Sequence, residues 1–196
     1  MRQPISESAI AQLFTEARSH HHFTSEPVSD ETLHALYELA KWGPTSVNSN
    51  PGRLLYIRSA AEKEKLYPAL FHSNIEQARS APVVAIIAYD EHYLDHITRL
   101  FPAFDVRPHF AGNEKLIYDT AFRNSALQGA YFIMAARSLG LDVCPMSGFD
   151  NAQVDEVFCK ERGWRSNFIC TLGYGDAAYL GPRGPRLPFA EACAIV

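Results

Sequence analysis

Several residues stand at spacings that could do chemistry. His92 and His96 are four positions apart, the helical spacing at which two imidazoles can share a metal. Tyr93, Leu94 and Asp95 lie between them, so the glutamate that a zinc peptidase sets beside its first histidine is missing. A solvated helix face is the first reading, and no metal is expected. His20, His21 and His22 are consecutive. Neighbouring side chains at a helix end point in different directions, so one imidazole facing an anion fits better than three on one metal. Arg18 precedes this triplet, and Arg183 and Arg186 stand in a Gly/Pro-rich tail. A phosphate monoester wants such charge-assisted donors, although each arginine alone reads first as a surface residue.

Other nucleotide motifs are missing. Gly173-Tyr174-Gly175 follows an apolar run but lacks the third glycine and the following helix of a dinucleotide-binding loop. The chain has no P-loop and no Gly-x-Ser-x-Gly elbow. A bound nucleotide would have to be held by scattered residues.

The elements that would position those residues follow from periodicity and caps. A first helix is predicted over 7–18, with Ile10, Leu13, Phe14 and Ala17 on one face. A second starts at the N-cap Ser29, turns Leu33, Leu36, Tyr37 and Ala40 inward, and stops at Gly43. The polar segment 43–52 then separates two well-patterned elements. Leu54–Ile57 reads as a strand, and Ser59 with Glu62 forms a capping box. Val83–Tyr89 is a nearly continuous apolar run, hence a buried strand. A short helix is predicted over 91–100, and 101–110, with its aromatics and two prolines, reads as a mobile loop. The longest helical pattern runs from Asn113 to Leu139, and its second half is apolar on nearly every side, which predicts burial all round. Strands are expected at 141–144 and 168–172, with a short helix capped by Asp150 and Gln153 between them. Helices outnumber strands. The expected class is α+β, a sandwich around a small central sheet flanked by helices.

Composition agrees with one domain over residues 1–196. Hydrophobic residues at 47% and charged residues at 20% describe an ordinary globular chain. The net charge of −4, with no basic cluster among aromatics, argues against a nucleic-acid surface. The N-terminus has no apolar stretch of the signal-peptide kind, and the longest apolar run, near Tyr131–Ala136, is too short for a bilayer. Cys144, Cys159, Cys170 and Cys193 form no CxxC pair and are expected as buried reduced thiols in a cytoplasmic protein.

Four blocks, in order, carry a resemblance. They are Arg18-Ser19-His20-His21-His22-Phe23; Gly43-Pro44-Thr45-Ser46-Val47-Asn48-Ser49-Asn50-Pro51; Asn74-Ile75-Glu76-Gln77 before Ala81-Pro82; and Gly140 to Phe149, followed by Leu172-Gly173-Tyr174-Gly175 and Pro185-Arg186-Leu187-Pro188. Along nearly its whole length the chain resembles the FMN-dependent nitroreductase family. Lys41–Ser46, Ala121–Ser125 and Pro145–Asp150 carry a closer likeness to that family's malonic semialdehyde reductase branch.

The resemblance implies a nitroreductase-like fold, with the long helix at the core of a homodimer whose two active sites are shared. It implies bound FMN, reduced by NADH or NADPH in a ping-pong cycle of hydride transfer through N5 to a small acceptor. Malonic semialdehyde is one candidate acceptor, and nitroaromatics or quinones are others; a flavin-binding protein without turnover is the rival from outside enzymes. Arg18 and Arg186 would hold the phosphate, with Arg183 a neighbour and Ser19 and His20 supporting it or the ribityl chain. Asn74 and Gln77 would meet the pyrimidine edge of the flavin. The backbone of Ser147 or Gly148 would face N5, with Pro145 and Met146 against the ring. Pro44, Thr45, Ser46 and Asn48 would reach the flavin of the other subunit. Arg107 and Arg123 are the candidates for a substrate carboxylate. The chain departs from many relatives at His21 and Gln77, where they carry a cation, and at Asn50-Pro51-Gly52, where they carry Gln-Pro-Trp.

Overall fold

The computed structural model describes residues 3–196. Its centre is one four-stranded antiparallel sheet of β1 (Gly52–Ile57), β2 (Val83–Asp90), β3 (Asp142–Met146) and β4 (Trp164–Gly173), in the order β1-β2-β4-β3. The helices are α1 (Glu7–Ile10), α2 (Asp30–Ala40), α3 (Ala60–Leu66), α4 (His72–Ser80), α5 (Ile97–Leu100), α6 (Arg107–Phe110), α7 (Glu114–Ser138), α8 (Asn151–Val154) and α9 (Phe189–Ala192). This is the expected α+β sandwich. All eight residues of β2 are buried, although the sheet is antiparallel, because helices cover both of its faces. Leu33, Leu36 and Ala40 of α2 and Phe132, Ala135 and Ala136 of α7 pack on Val83, Ala85 and Ile87. Leu66 of α3, Ala78 of α4 and Val154 of α8 close over Val84, Ile86 and Ala88 on the other face.

The caps predicted at Ser29, Ser59 and Asp150 are present, and Asn113 caps the long helix as well. Ser29 accepts from Thr32 N, Ser59 from Glu62 N, Asn113 from Leu116 N and Asp150 from Gln153 N. Each satisfies one of the orphan donors at a helix start.

Other expectations need correction. The first helix does not run to residue 18. It passes into a π-turn at Ala11–Thr15, where Arg137 Nη1 donates to the Leu13 carbonyl and competes for it with the helix ladder. Ile10 and Phe14, expected inward, are exposed. Tyr37 is exposed as well, because the buried stripe 33/36/40 leaves position 37 at its margin. The segment 101–110 is not wholly loop: α6 forms at its end and buries Val106 and Phe110. Cys144, Cys159 and Cys170 are buried and unpaired, whereas Cys193 is exposed. Nor is α7 covered all round by its own chain. Thr120, Asn124, Phe132 and Ala136 face inward, but Tyr118, Phe122, Leu127 and Tyr131 remain exposed. Leu187, Phe189 and Ile195 in the tail are exposed too. Among the described residues, no helix is long and apolar enough to cross a membrane.

Candidate active site

The residues singled out by sequence fall into two groups at opposite edges of the sheet. Arg18, Ser19, His20, Asn74, Gln77 and the 145–148 turn gather around β3. The segment 43–52 leads directly into β1, the other edge strand. Three strand spacings separate these edges, about 14 Å.

At the β3 edge, the end of the first helical segment is tied down by an isolated bridge between Phe23 and Gly175. Arg18, Ser19, His20, His22, Tyr179 and Gly181 line a cavity of about 350 Å³ there. Arg18 Nη2 donates to the Gly181 carbonyl at 2.6 Å, and Arg183 Nη2 returns a bond to the Ala17 carbonyl at 3.0 Å, so the tail is drawn beside the helix end. Arg186 does not join them. Its Nη1 bonds the Gly184 and Pro185 carbonyls of its own segment. The three histidines diverge as adjacent positions must. His20 is buried, His21 is exposed, and His22 stacks on Tyr179 at 4.2 Å. His20 Nε2 stands 3.5 Å from Asp142 Oδ1, while the other Asp142 oxygen accepts from Gly175 N. His20 Nδ1 is buried without a partner, an orphaned group beside the cavity.

Alternation along β3 puts Asp142, Cys144 and Met146 on one face. Burial pushes the Cys144 thiol up, opposed by hydrogen bonds from Gln77 and Ser19. Gln77 is itself buried, and its Nε2 donates to Thr171 Oγ1 at 2.9 Å. Its amide is therefore already engaged within the chain, with Thr171 and with Cys144. Met146 is buried with Ile86 and Ile169 in the core, whereas Pro145 is exposed.

The turn after β3 meets the start of α4. The Gly148 carbonyl accepts from Phe71 N at 2.9 Å and from Asn74 Nδ2 at 2.8 Å. Asn74 therefore does not cap α4; its side chain crosses to the turn. A Cβ at Gly148 would stand 2.7 Å from Asn74 Nδ2 and 3.1 Å from the Phe71 ring, so only glycine lets the two segments approach this closely. Among the described residues, no hydrogen bond uses the N–H of Ser147 or Gly148.

At the β1 edge, the chain passes through left-handed backbone at Val47 (φ 47°), Asn48 (φ 50°) and Asn50 (φ 43°). Ser46 N donates to Asn124 Oδ1 at 2.8 Å, Asn50 N to Thr45 Oγ1 at 3.1 Å, and Asn48 Nδ2 to the Leu100 carbonyl at 2.8 Å. Pro44 is exposed. A larger groove of about 970 Å³ lies beside this edge, with Tyr37, Trp42, Asn48, Arg53, Arg99 and Gln128 in its walls. Arg107 is held bidentate by Asp105, and Arg123 is exposed on α7. His92 precedes a 3-10 turn and His96 ends it, 4.0 Å from Asp90. Among the described residues, no three His, Cys, Asp or Glu side chains gather as metal ligands.

Sequence reading missed Asp142, Thr171, Asn124 and Gln128. Asp142 and Thr171 lie within apolar strands and gave no signal. Asn124 and Gln128 did give one: two amides one turn apart on the same face of the long helix.

Comparison with known proteins gives a consistent picture. The family described as the nitroreductase family matches residues 15–174. A relative from Rhodopseudomonas palustris (strain TIE-1), provisionally named NADH dehydrogenase/NAD(P)H nitroreductase, is 50% identical over 196 residues, 100% of both chains. Among solved structures, a nitroreductase family protein from Streptococcus pneumoniae superposes with a TM-score of 0.82 at 25% identity, covering 95% of this chain and 100% of that one. A provisionally named nitroreductase from Exiguobacterium sibiricum, solved in complex with FMN, superposes at 0.85 with 21% identity and full coverage of both chains.

Proposed function

The chain belongs to the nitroreductase family, and from that membership and the two-edged site we propose that it is an FMN-dependent NAD(P)H oxidoreductase, working as a homodimer with shared active sites. The residues present fit FMN. Arg18, Ser19 and His20 line a cavity that suits a phosphate end, and His20 Nδ1 is left without a partner. At the other end of the β3 strip, the free N–H groups of Ser147 and Gly148 suit the N5 side of a flavin ring.

When bound, FMN supplies the two-electron redox chemistry that no side chain of this protein can. The protein binds, orients and excludes water. Arg18 and Arg183 hold the phosphate end; Arg186 reaches it only by exchanging its bonds to the Gly184 and Pro185 carbonyls; Ser19 and His20 line the way to the ribityl chain. Asn74 fixes the Gly148 carbonyl, so the neighbouring N–H groups point where an acceptor is needed. Gln77 is assigned to the pyrimidine edge, where its buried amide would exchange its bond to Cys144 or Thr171 for one to the flavin. Pro145 supplies an exposed wall, and Met146 supports it from the core.

The observation that carries the shared-site reading is the split across the sheet. Pro44, Thr45, Ser46 and Asn48 lead into β1, and β1 lies three strand spacings, about 14 Å, from β3, so the two parts of the site sit on opposite edges of the sheet. A second copy brings its own 43–52 segment to the strip. The exposed Tyr118, Phe122, Leu127 and Tyr131 of α7 support an apolar interface for that copy. The buried, unpaired Cys144, Cys159 and Cys170 fit a reducing compartment, the cytoplasm.

For the acceptor, the narrower reading is malonic semialdehyde, reduced to 3-hydroxypropionate. It rests on the Lys41–Ser46, Ala121–Ser125 and Pro145–Asp150 segments. Of the two cations considered for the carboxylate, Arg123 is the freer, because Arg107 already pairs with Asp105. Nitroaromatics and quinones are the competing acceptors.

Anaerobic mixing of the purified protein with NADH or NADPH tests the reading. The flavin absorbance should bleach, then return on addition of the proper acceptor, with malonic semialdehyde, a nitroaromatic and a quinone compared. A yellow protein that neither nucleotide bleaches is a flavin carrier and no oxidoreductase.

A further inference from the structure

The segment before β1 carries more strain than a polar turn requires. Val47 is β-branched and sits in left-handed backbone, and Asn48 and Asn50 join it there. Left-handed backbone at a β-branched residue persists only where the surroundings over-determine it. The surroundings here are one stripe of α7. Asn124, Gln128 and Tyr131 follow at i, i+4 and i+7, the spacing that puts side chains on a single helical face.

Each meets a different part of the segment. Tyr131 packs so closely on Gly43 that a Cβ there would stand 2.7 Å from its ring. Asn124 Oδ1 accepts from Ser46 N at 2.8 Å, and its own Nδ2 is anchored to the Thr120 carbonyl at 2.8 Å. Gln128 Oε1 accepts from Gly52 N at 2.6 Å, and its Nε2 reaches Asn50 Oδ1 at 3.3 Å. The two amides therefore grip the segment before and after its strained residues. Arg53 braces the far side, bonding the Asn50 and Gly52 carbonyls with Nη1 and Asp90 with Nη2.

We propose that Asn124 and Gln128 are positioning residues: they hold residues 45–50 in the conformation that completes the flavin site of the partner subunit. They touch neither flavin nor substrate and act through the backbone N–H groups of Ser46 and Gly52. The inference rests on the shared-site reading above. It adds that α7 carries both the apolar face offered to a second chain and the polar stripe that shapes the segment this chain contributes.

The test compares Gln128→Met, which removes the acceptor at similar size, with Gln128→Glu, which keeps it. Apoprotein is titrated with FMN by fluorescence, and visible circular dichroism is recorded on the bound flavin. Gln128→Met should raise the FMN Kd about tenfold, as loss of one hydrogen bond would, and change the flavin dichroism. Gln128→Glu should stay within about twofold of the wild type on both readouts. Asn124→Ser, too short to reach Ser46 N, replaces Gln128→Met if that variant does not fold, with the same expected shift. Unchanged Kd and dichroism in the variant lacking the acceptor would overturn the inference, as would equal weakening in Gln128→Glu. A wild type that binds no FMN would instead fell the functional reading, so the two failures are distinguishable.

Discussion

Arg18→Ala should weaken FMN binding without weakening riboflavin binding. In the structure Arg18 spends one of its five donors on the Gly181 carbonyl, 2.6 Å away, and lines the cavity assigned to the phosphate. Loss of a hydrogen bond to a charged group is worth about 1.5–3 kcal/mol. That corresponds to roughly 10- to 150-fold in Kd, since about 1.4 kcal/mol is tenfold. Folding should suffer less, because the released Gly181 carbonyl is exposed and can bond water. Fluorescence titration of apoprotein with FMN and with riboflavin separates the contributions, since riboflavin lacks the phosphate. Arg186→Ala should lie below Arg18→Ala in the same assay, because Arg186 is engaged with its own segment. Equal losses for FMN and riboflavin would place Arg18 away from the phosphate. No loss for either would return it to the surface.

Three further outcomes are expected. Gly148→Ala puts a Cβ 2.7 Å from Asn74 Nδ2, so the turn or the asparagine must shift; overpacking of this kind costs about 1–3 kcal/mol, read as a fall in Tm and weaker FMN binding. Gly175→Ala drives a methyl into the buried His20 ring and should lower Tm by a similar overpacking cost of about 1–3 kcal/mol, with FMN affinity falling as His20 is displaced. Alkaline pH should destabilise the fold. Burial raises Tyr89 and Tyr93 to about 12, and Tyr56 further, so their contribution is full below pH 10 and is lost as pH rises from 10 through 12. Lys63 acts in the opposite sense, since burial lowers it from 10.5, but one lysine opposes three phenols. Urea titrations from pH 8 to 11 should show stability falling above pH 10, and a rise there would refute the sign.

Local chemistry was legible in the sequence and tertiary chemistry was not. Ser29, Ser59, Asn113 and Asp150 announce helix starts because a cap bonds within three residues of itself. The apolar run of β2 announces a buried strand because nearly every one of its side chains on both faces is apolar. What failed depended on partners distant in sequence. The first helix ends early where Arg137, more than a hundred positions away, takes the Leu13 carbonyl. Strand β3 extends through Pro145, tolerated because β3 is an edge strand. The clamp of Asn124 and Gln128 on residues 46–52 spans more than seventy positions, so the pair of amides is visible in the sequence but what it grips is not. The candidate site followed the same division. Its blocks were readable as types in order, but the split across two sheet edges appears only when the strand order is known.

The claim that two chains build each flavin site is tested most directly by sedimentation velocity with absorbance in the flavin band. The flavin should sediment with a species of twice the 21.9 kDa chain, and dilution that separates the chains should release it. The interface should be of the obligate kind, roughly 2,000 Å² or more, so dissociation should require high dilution. A single 21.9 kDa chain that sediments with its flavin would contradict the shared site and the role given to residues 44–48.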